Sequence, residues 1–104
     1  MTTTKRKARI STEKLEKAAY ILKTIGHPTR LAIIELLAEE GEVSVNGICN
    51  TLNVEQSLLS HHLLNMKTKG LLSCRKEGTT MFYSLREKNL THIIDCVEKC
   101  DCNM

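Results

Sequence analysis

The stretch Glu55–Leu72, EQSLLSHHLLNMKTKGLL, has the spacing of a helix but not the usual surface of one. At about 100° per residue, Leu59, Leu63 and Met66 share one face, with Leu58 and His62 at its margin. Ser57, Ser60, His61 and Thr68 share the other, with Leu64 among them and Gln56 in the first turn. Such an outward face ordinarily carries charged residues; this one is short, polar and able both to donate and to accept hydrogen bonds. Glutamate there would repel phosphate, and a row of lysines would bind every duplex alike. Gln, Ser and His can approach base edges in a major groove, Gln can pair bidentately with adenine, and Leu64 can touch a thymine methyl. The face is suited to double-stranded DNA. His62 is expected to be a packed ring with one satisfied hydrogen bond, whereas His61 points outward. Adjacent histidines diverge around a helix and make a poor metal site.

Working outward, the chain on either side reads as helix, helix, short helix, turn, then this helix, a hairpin and a last helix. Ser11 or Thr12 caps the first helix, whose Leu15, Ala18, Ala19, Leu22 and Ile25 recur at helical spacing until Gly26. Pro28 opens the second helix at a position where its missing N–H costs nothing, and Gly41 ends it. Ser44 caps a short third helix with Val45, Ile48 and Leu52 inward, and Asn53 suits the left-handed turn that follows. After Gly70, LLSCRK and TTMFYSL read as two strands joined by a loop containing Gly78. From about Lys88, Leu90, Ile93, Ile94 and Val97 fall on one stripe of the last helix. Short helix, tight turn and longer helix make a helix-turn-helix, and the hairpin after it makes a wing. The expected fold is mainly α with a β-hairpin wing: a winged helix-turn-helix.

Length and composition fit that reading. The 104 residues form one domain over 11–104, preceded by a flexible basic arm over 1–10 in which Lys5, Arg6, Lys7 and Arg9 crowd together. With one Phe, two Tyr and no Trp, the core must be aliphatic. A chain this short buries a modest fraction of its surface, which favours dimerisation. No apolar run approaches the roughly 18 residues of a membrane span, and the N-terminus lacks a signal-peptide core, so the chain is expected in the cytoplasm. Five cysteines, three of them in the last nine residues, do not resemble the framework of a disulfide-stapled secreted domain. No Gly-rich phosphate loop, catalytic triad or paired carboxylates suggest an enzyme.

The recognition stretch resembles the signature of the ArsR/SmtB family of winged-helix repressors at Gln56, Ser57, Ser60, His62, Leu63, Gly70 and Leu71. Upstream, LKTIGHPTRLAIIELL is similar to the family's opening motif at Leu22, His27, Pro28, Arg30, Leu31, Ile33, Leu36 and Leu37. GEVSVNGICNTLNV resembles the helix that precedes recognition, and GTTMFYSL the wing. The resemblance implies a homodimer formed through the first and last helices, bound to palindromic operator DNA until an inducer arrives. Wing residues Arg75, Lys76, Thr79 and Thr80 are then expected at phosphate or the minor groove, positioning rather than specifying.

The family's inducer sites are only partly matched. Where it places a Cys-x-Cys pair at the start of the third helix, this chain has Ser44 and Asn46; at its last-helix zinc site stand Glu87, Asn89, Cys100 and Asn103. The chain offers instead CVEKCDC, with Cys96, Cys100 and Cys102. Cys96 and Cys100 are spaced as neighbours on one helical face. Three thiolates within seven residues suit a soft ion: As(III) or Sb(III) in trigonal coordination, or Cd or Zn with a fourth ligand, which the other subunit could supply. The alternative is a thiol-based redox or sulfane-sulfur response at the same cysteines. Cys49 and Cys74 read as small packed hydrophobes. A different class of function, a protein-interaction module that has lost DNA binding, is separated from a repressor by salt-sensitive binding to a duplex.

Overall fold

The computed structural model describes residues 9–100. The basic arm up to residue 8, Cys102 and Asn103 therefore lie outside the described residues. Helix α1 spans Thr12–Ile25, with Ser11 as its cap: the Ser11 hydroxyl accepts the Lys14 N–H at 3.2 Å. Helix α2 spans Pro28–Glu40, and its cap is His27, whose Nδ1 accepts the Thr29 N–H at 3.1 Å. Gly41 then turns the chain at φ +86°, a conformation that a side chain disfavours.

Strand β1, Glu42–Ser44, precedes helix α3, Val45–Leu52. Ser44 ends the strand and caps α3, its hydroxyl accepting the Gly47 N–H at 3.0 Å. Asn53 takes the left-handed conformation expected of it, at φ 54° and ψ 49°, and redirects the chain into helix α4, Gln56–Thr68. Strands β2, Leu72–Glu77, and β3, Thr80–Leu85, form the wing around Gly78, which sits at φ +64°. Helix α5 covers Leu90–Lys99.

The expected β2–β3 hairpin is present, and β1 joins its edge to make a three-stranded antiparallel sheet in the order β1-β3-β2. Val43 pairs with Tyr83, which in turn pairs with Cys74. A strand of three residues is too short to show a period, and it forms because β3 presents it with an open edge.

Burial explains why these elements assemble. Ile33, Ile34 and Leu37 of α2 are enclosed by Ile48 of α3, by Leu59, Leu63 and Met66 of α4, and by Leu72, Leu85 and Leu90. Helix α1 is different. Only Thr24 and Ile25 at its end are buried, while Leu15, Tyr20 and Leu22 stand exposed, Leu22 at 55%. Among the described residues no helix is long and apolar enough to cross a membrane.

Candidate nucleic-acid interface

The inward face of α4 anchors the helix and thereby sets where its outward face points. Leu59, His62, Leu63 and Met66 are buried. Gln56, Ser57, Ser60, His61, Leu64 and Thr68 are all exposed, as the wheel requires. Leu64 is 60% exposed, an apolar side chain held out among polar ones. Leu58, placed at the core margin by the wheel, is also exposed. The Ser57 hydroxyl donates to the carboxylate of Glu55, the residue that precedes the helix. An acidic group thus sits at the entry of the polar face, and it competes with a base for the Ser57 proton.

On the wing, Lys76, Thr79 and Thr80 are all exposed, and Thr79 and Thr80 face α4 across a cleft. A cleft of about 330 Å³ separates helix from wing, lined by Asn46, Gln56, Ser60, Thr79, Thr80 and Met81 among others. Asn46 at the start of α3 also lines this cleft, a placement that the sequence reading did not foresee.

Arg75 is also exposed, but its guanidinium is committed within the wing. It reaches across β3 to Glu42 on β1, with Nη2–Oε1 at 2.8 Å and Nε–Oε2 at 3.2 Å, and the third nitrogen, Nη1, meets Glu77. Its carbon lies 4.7 Å from the centre of the Phe82 ring. The hydrogen bond from Arg75 holds the Glu42 carboxyl below its usual range, and both carboxylates raise the arginine further. Arg75 therefore braces β1 to the wing. Across the strands, burial first and then the facing Cys74 thiol push the Tyr83 phenol above its ordinary value.

His62 fulfils its expected role. It is 4% exposed, and its Nδ1 accepts a hydrogen bond from Arg30 Nε at 2.9 Å. Burial, then the charge of Arg30 and the neighbouring His27 and His61, depress its pKa below 6.5. Cys49 and Cys74 are half-buried and pack against the core.

At the C-terminal end, Cys96 is exposed and free. Cys100 is exposed as well, but it is disulfide-bonded. The expectation of one continuous helical face for this pair is corrected, because α5 stops at Lys99 and Cys100 takes extended backbone, φ −76° and ψ 119°.

A helix-turn-helix flanked by a wing is what the comparisons match. The family described as bacterial regulatory protein, arsR family, matches residues 27–73. An uncharacterized HTH-type transcriptional regulator of Methanocaldococcus jannaschii is 45% identical over 87 residues, spanning 84% of this chain and 98% of that protein. The chain belongs to the arsR family. The solved structure of HlyU from Vibrio cholerae superimposes with a TM-score of 0.79 at 31% identity, over 89% of this chain and all of that one; HlyU carries the name transcriptional activator. A homodimeric winged helix-turn-helix DNA-binding domain from Mycobacterium bovis superimposes with a TM-score of 0.71 at 28% identity, over 88% of this chain and 87% of that one. This ArsR-family protein is thus a winged helix-turn-helix transcriptional regulator.

Proposed function

We propose that this ArsR-family protein is a homodimeric repressor that reads a palindromic operator through Gln56, Ser57, Ser60, His61, Leu64 and Thr68. The observation that carries this is the complete exposure of that face while Leu59, Leu63 and Met66 lock the helix from behind. The wing residues Lys76, Thr79 and Thr80 meet the backbone and fix register without specifying sequence. Dimerisation uses α1 and α5: Leu15, Tyr20 and Leu22 on one, and Val97 on the other, are large apolar groups left in water. A homodimeric relative with this fold supports the same assembly here. A twofold dimer presents two recognition helices about one duplex turn apart, and its occupancy of a promoter excludes polymerase.

The test begins with a duplex selected by the wild-type protein from a random pool. Affinity for it should fall steeply as salt rises, because phosphate contacts release counterions. Ser57→Ala and His61→Ala should each cost roughly 1–3 kcal/mol of discrimination, with the helical circular dichroism unchanged. Loss of helical signal in step with binding would show that these side chains hold the fold rather than read DNA.

Release is assigned to Cys96, Cys100 and Cys102. In the first reading, their thiolates, once the Cys100 disulfide is reduced, take up a soft ion such as As(III), Sb(III), Cd or Zn and alter the dimer angle. The second reading, oxidation or sulfane-sulfur bridging of the same thiols, is favoured by the disulfide-bonded state of Cys100 and by a solved HlyU described as reduced. Native mass spectrometry after arsenite, cadmium or polysulfide separates a retained ion from a covalent sulfur adduct. With all three cysteines changed to Ser, DNA binding should persist and release should vanish; undiminished release would remove the C-terminal thiols from the mechanism.

A further inference from the structure

Behind the reading face, three helices meet on one side chain. Arg30, half-buried in the first turn of α2, donates through Nη1 to the Thr24 carbonyl at 2.9 Å and to Asn65 Oδ1 at 2.8 Å. Through Nε it donates to His62 Nδ1 at 2.9 Å. Thr24 lies in the last turn of α1, whose terminal carbonyls have no intrahelical partner. His62 and Asn65 lie one turn apart on α4. One planar guanidinium thus joins the end of α1 to the middle of the recognition helix. The alternative connection between α1 and α2, at Gly26 and His27, is a two-residue turn of exposed residues.

We propose that Arg30 is a positioning residue for operator binding: by holding Thr24, His62 and Asn65 together, it fixes the angle between α4 and α1. The inference rests on α1 being a dimer helix. A change of angle between subunits then moves α1 and carries α4 with it, so the spacing of the two recognition helices follows the dimer geometry. Lysine cannot substitute, because a point charge on a flexible stem does not reproduce a rigid fork with several donors.

The protonation state of His62 belongs to this device. Because Nδ1 accepts from Arg30, the neutral ring carries its proton on Nε2, which is buried and without a hydrogen-bond partner among the described residues. That tautomer has no lone pair on Nε2 to offer a metal. Adding a proton to Nδ1 sets N–H against N–H and opens the Arg30 contact. The groups facing His62 oppose that charge: Arg30 itself, His27 with its ring centre 4.6 Å away, and His61 at 5.9 Å. The depressed pKa fixes the sign. The clamp is complete above about pH 6.5, the ordinary histidine value, and is lost as pH falls through the lower folded-state value.

The experiment compares wild type with Arg30→Lys, Asn65→Ala and His62→Asn, whose amide oxygen offers Arg30 an acceptor that does not titrate. Sedimentation and circular dichroism report dimer and fold; the readout is the affinity ratio for the selected duplex over a scrambled one, from pH 5.5 to 8. Arg30→Lys and Asn65→Ala should lower that ratio about tenfold or more, the scale of a hydrogen bond to a charged group, while remaining folded dimers. The wild-type ratio should fall more on acidification than the His62→Asn ratio, with His27 and His61 present in both. If Arg30→Lys does not fold, Asn65→Ala, at a half-exposed position, decides. Unchanged ratios in dimeric variants, or the same acid profile in His62→Asn, overturn the positioning role alone. A monomeric wild type overturns the dimer reading and this proposal with it.

Discussion

Ser60→Glu is expected to abolish operator binding while leaving the fold and the melting temperature in place. Ser60 is exposed in the middle of α4, and it lines the cleft between helix and wing, on the face proposed to meet the duplex. A carboxylate there faces phosphates on both walls of the groove and has no buried partner to neutralise it. The hydroxyl it replaces is small enough to approach a base edge, and glutamate is not. Loss of one base contact costs roughly 1–3 kcal/mol, and the repulsion adds to that in each half-site of a dimer. The combined effect should exceed about a hundredfold in Kd, the factor that roughly 3 kcal/mol represents. Fluorescence anisotropy with the selected duplex at low salt measures it. Binding within threefold of wild type would place the duplex elsewhere on the surface.

Leu59→Ala should have the opposite signature, with stability lost first and DNA binding lost as a consequence. Leu59 is fully buried on α4 among the core residues of α2, α3 and the sheet. Removing three carbons from a close-packed site forfeits their transfer energy and leaves a cavity, together about 2–5 kcal/mol. Domains of this size have only about 5–15 kcal/mol in total, so much of the margin disappears, and more of it in dilute protein if dimerisation contributes. Leu64→Ala is the internal control. The same residue type on the same helix is 60% exposed, and its truncation should change stability by no more than about 0.5 kcal/mol. Urea unfolding of the two variants separates an anchoring leucine from a reading one.

Much of this was legible before any coordinates. Ser11, Ser44 and Asn53 announced a helix start, a second start and a left-handed turn through their own side-chain and backbone preferences, and each does so in the structure. The two faces of α4 were separable because a period of 3.6 residues sorts side chains regardless of what packs behind them. Three features were not legible. Strand β1 exists because β3 lends it hydrogen-bond partners, so no pattern within Glu42–Ser44 reveals it. The ion pair of Arg75 with Glu42, distant in sequence, forms across the sheet, so residue type alone does not reveal it. The early end of α5 at Lys99 separates Cys100 from the helical face that its spacing to Cys96 implied.

The sequence by itself determined the order of the helices and of the wing strands, the helix starts set by local capping at Ser11 and Ser44, and which face of α4 is left exposed. Those depend on interactions spanning a few residues, which local chemistry encodes directly. Only the tertiary structure decided which polar groups are occupied by distant partners: Arg75 by Glu42 across the sheet, and Arg30 by α1 and α4 together. Residues 24, 30, 62 and 65 become neighbours only after the core has closed around Ile33 and Leu63, because burial brings distant segments together without regard to their separation along the chain.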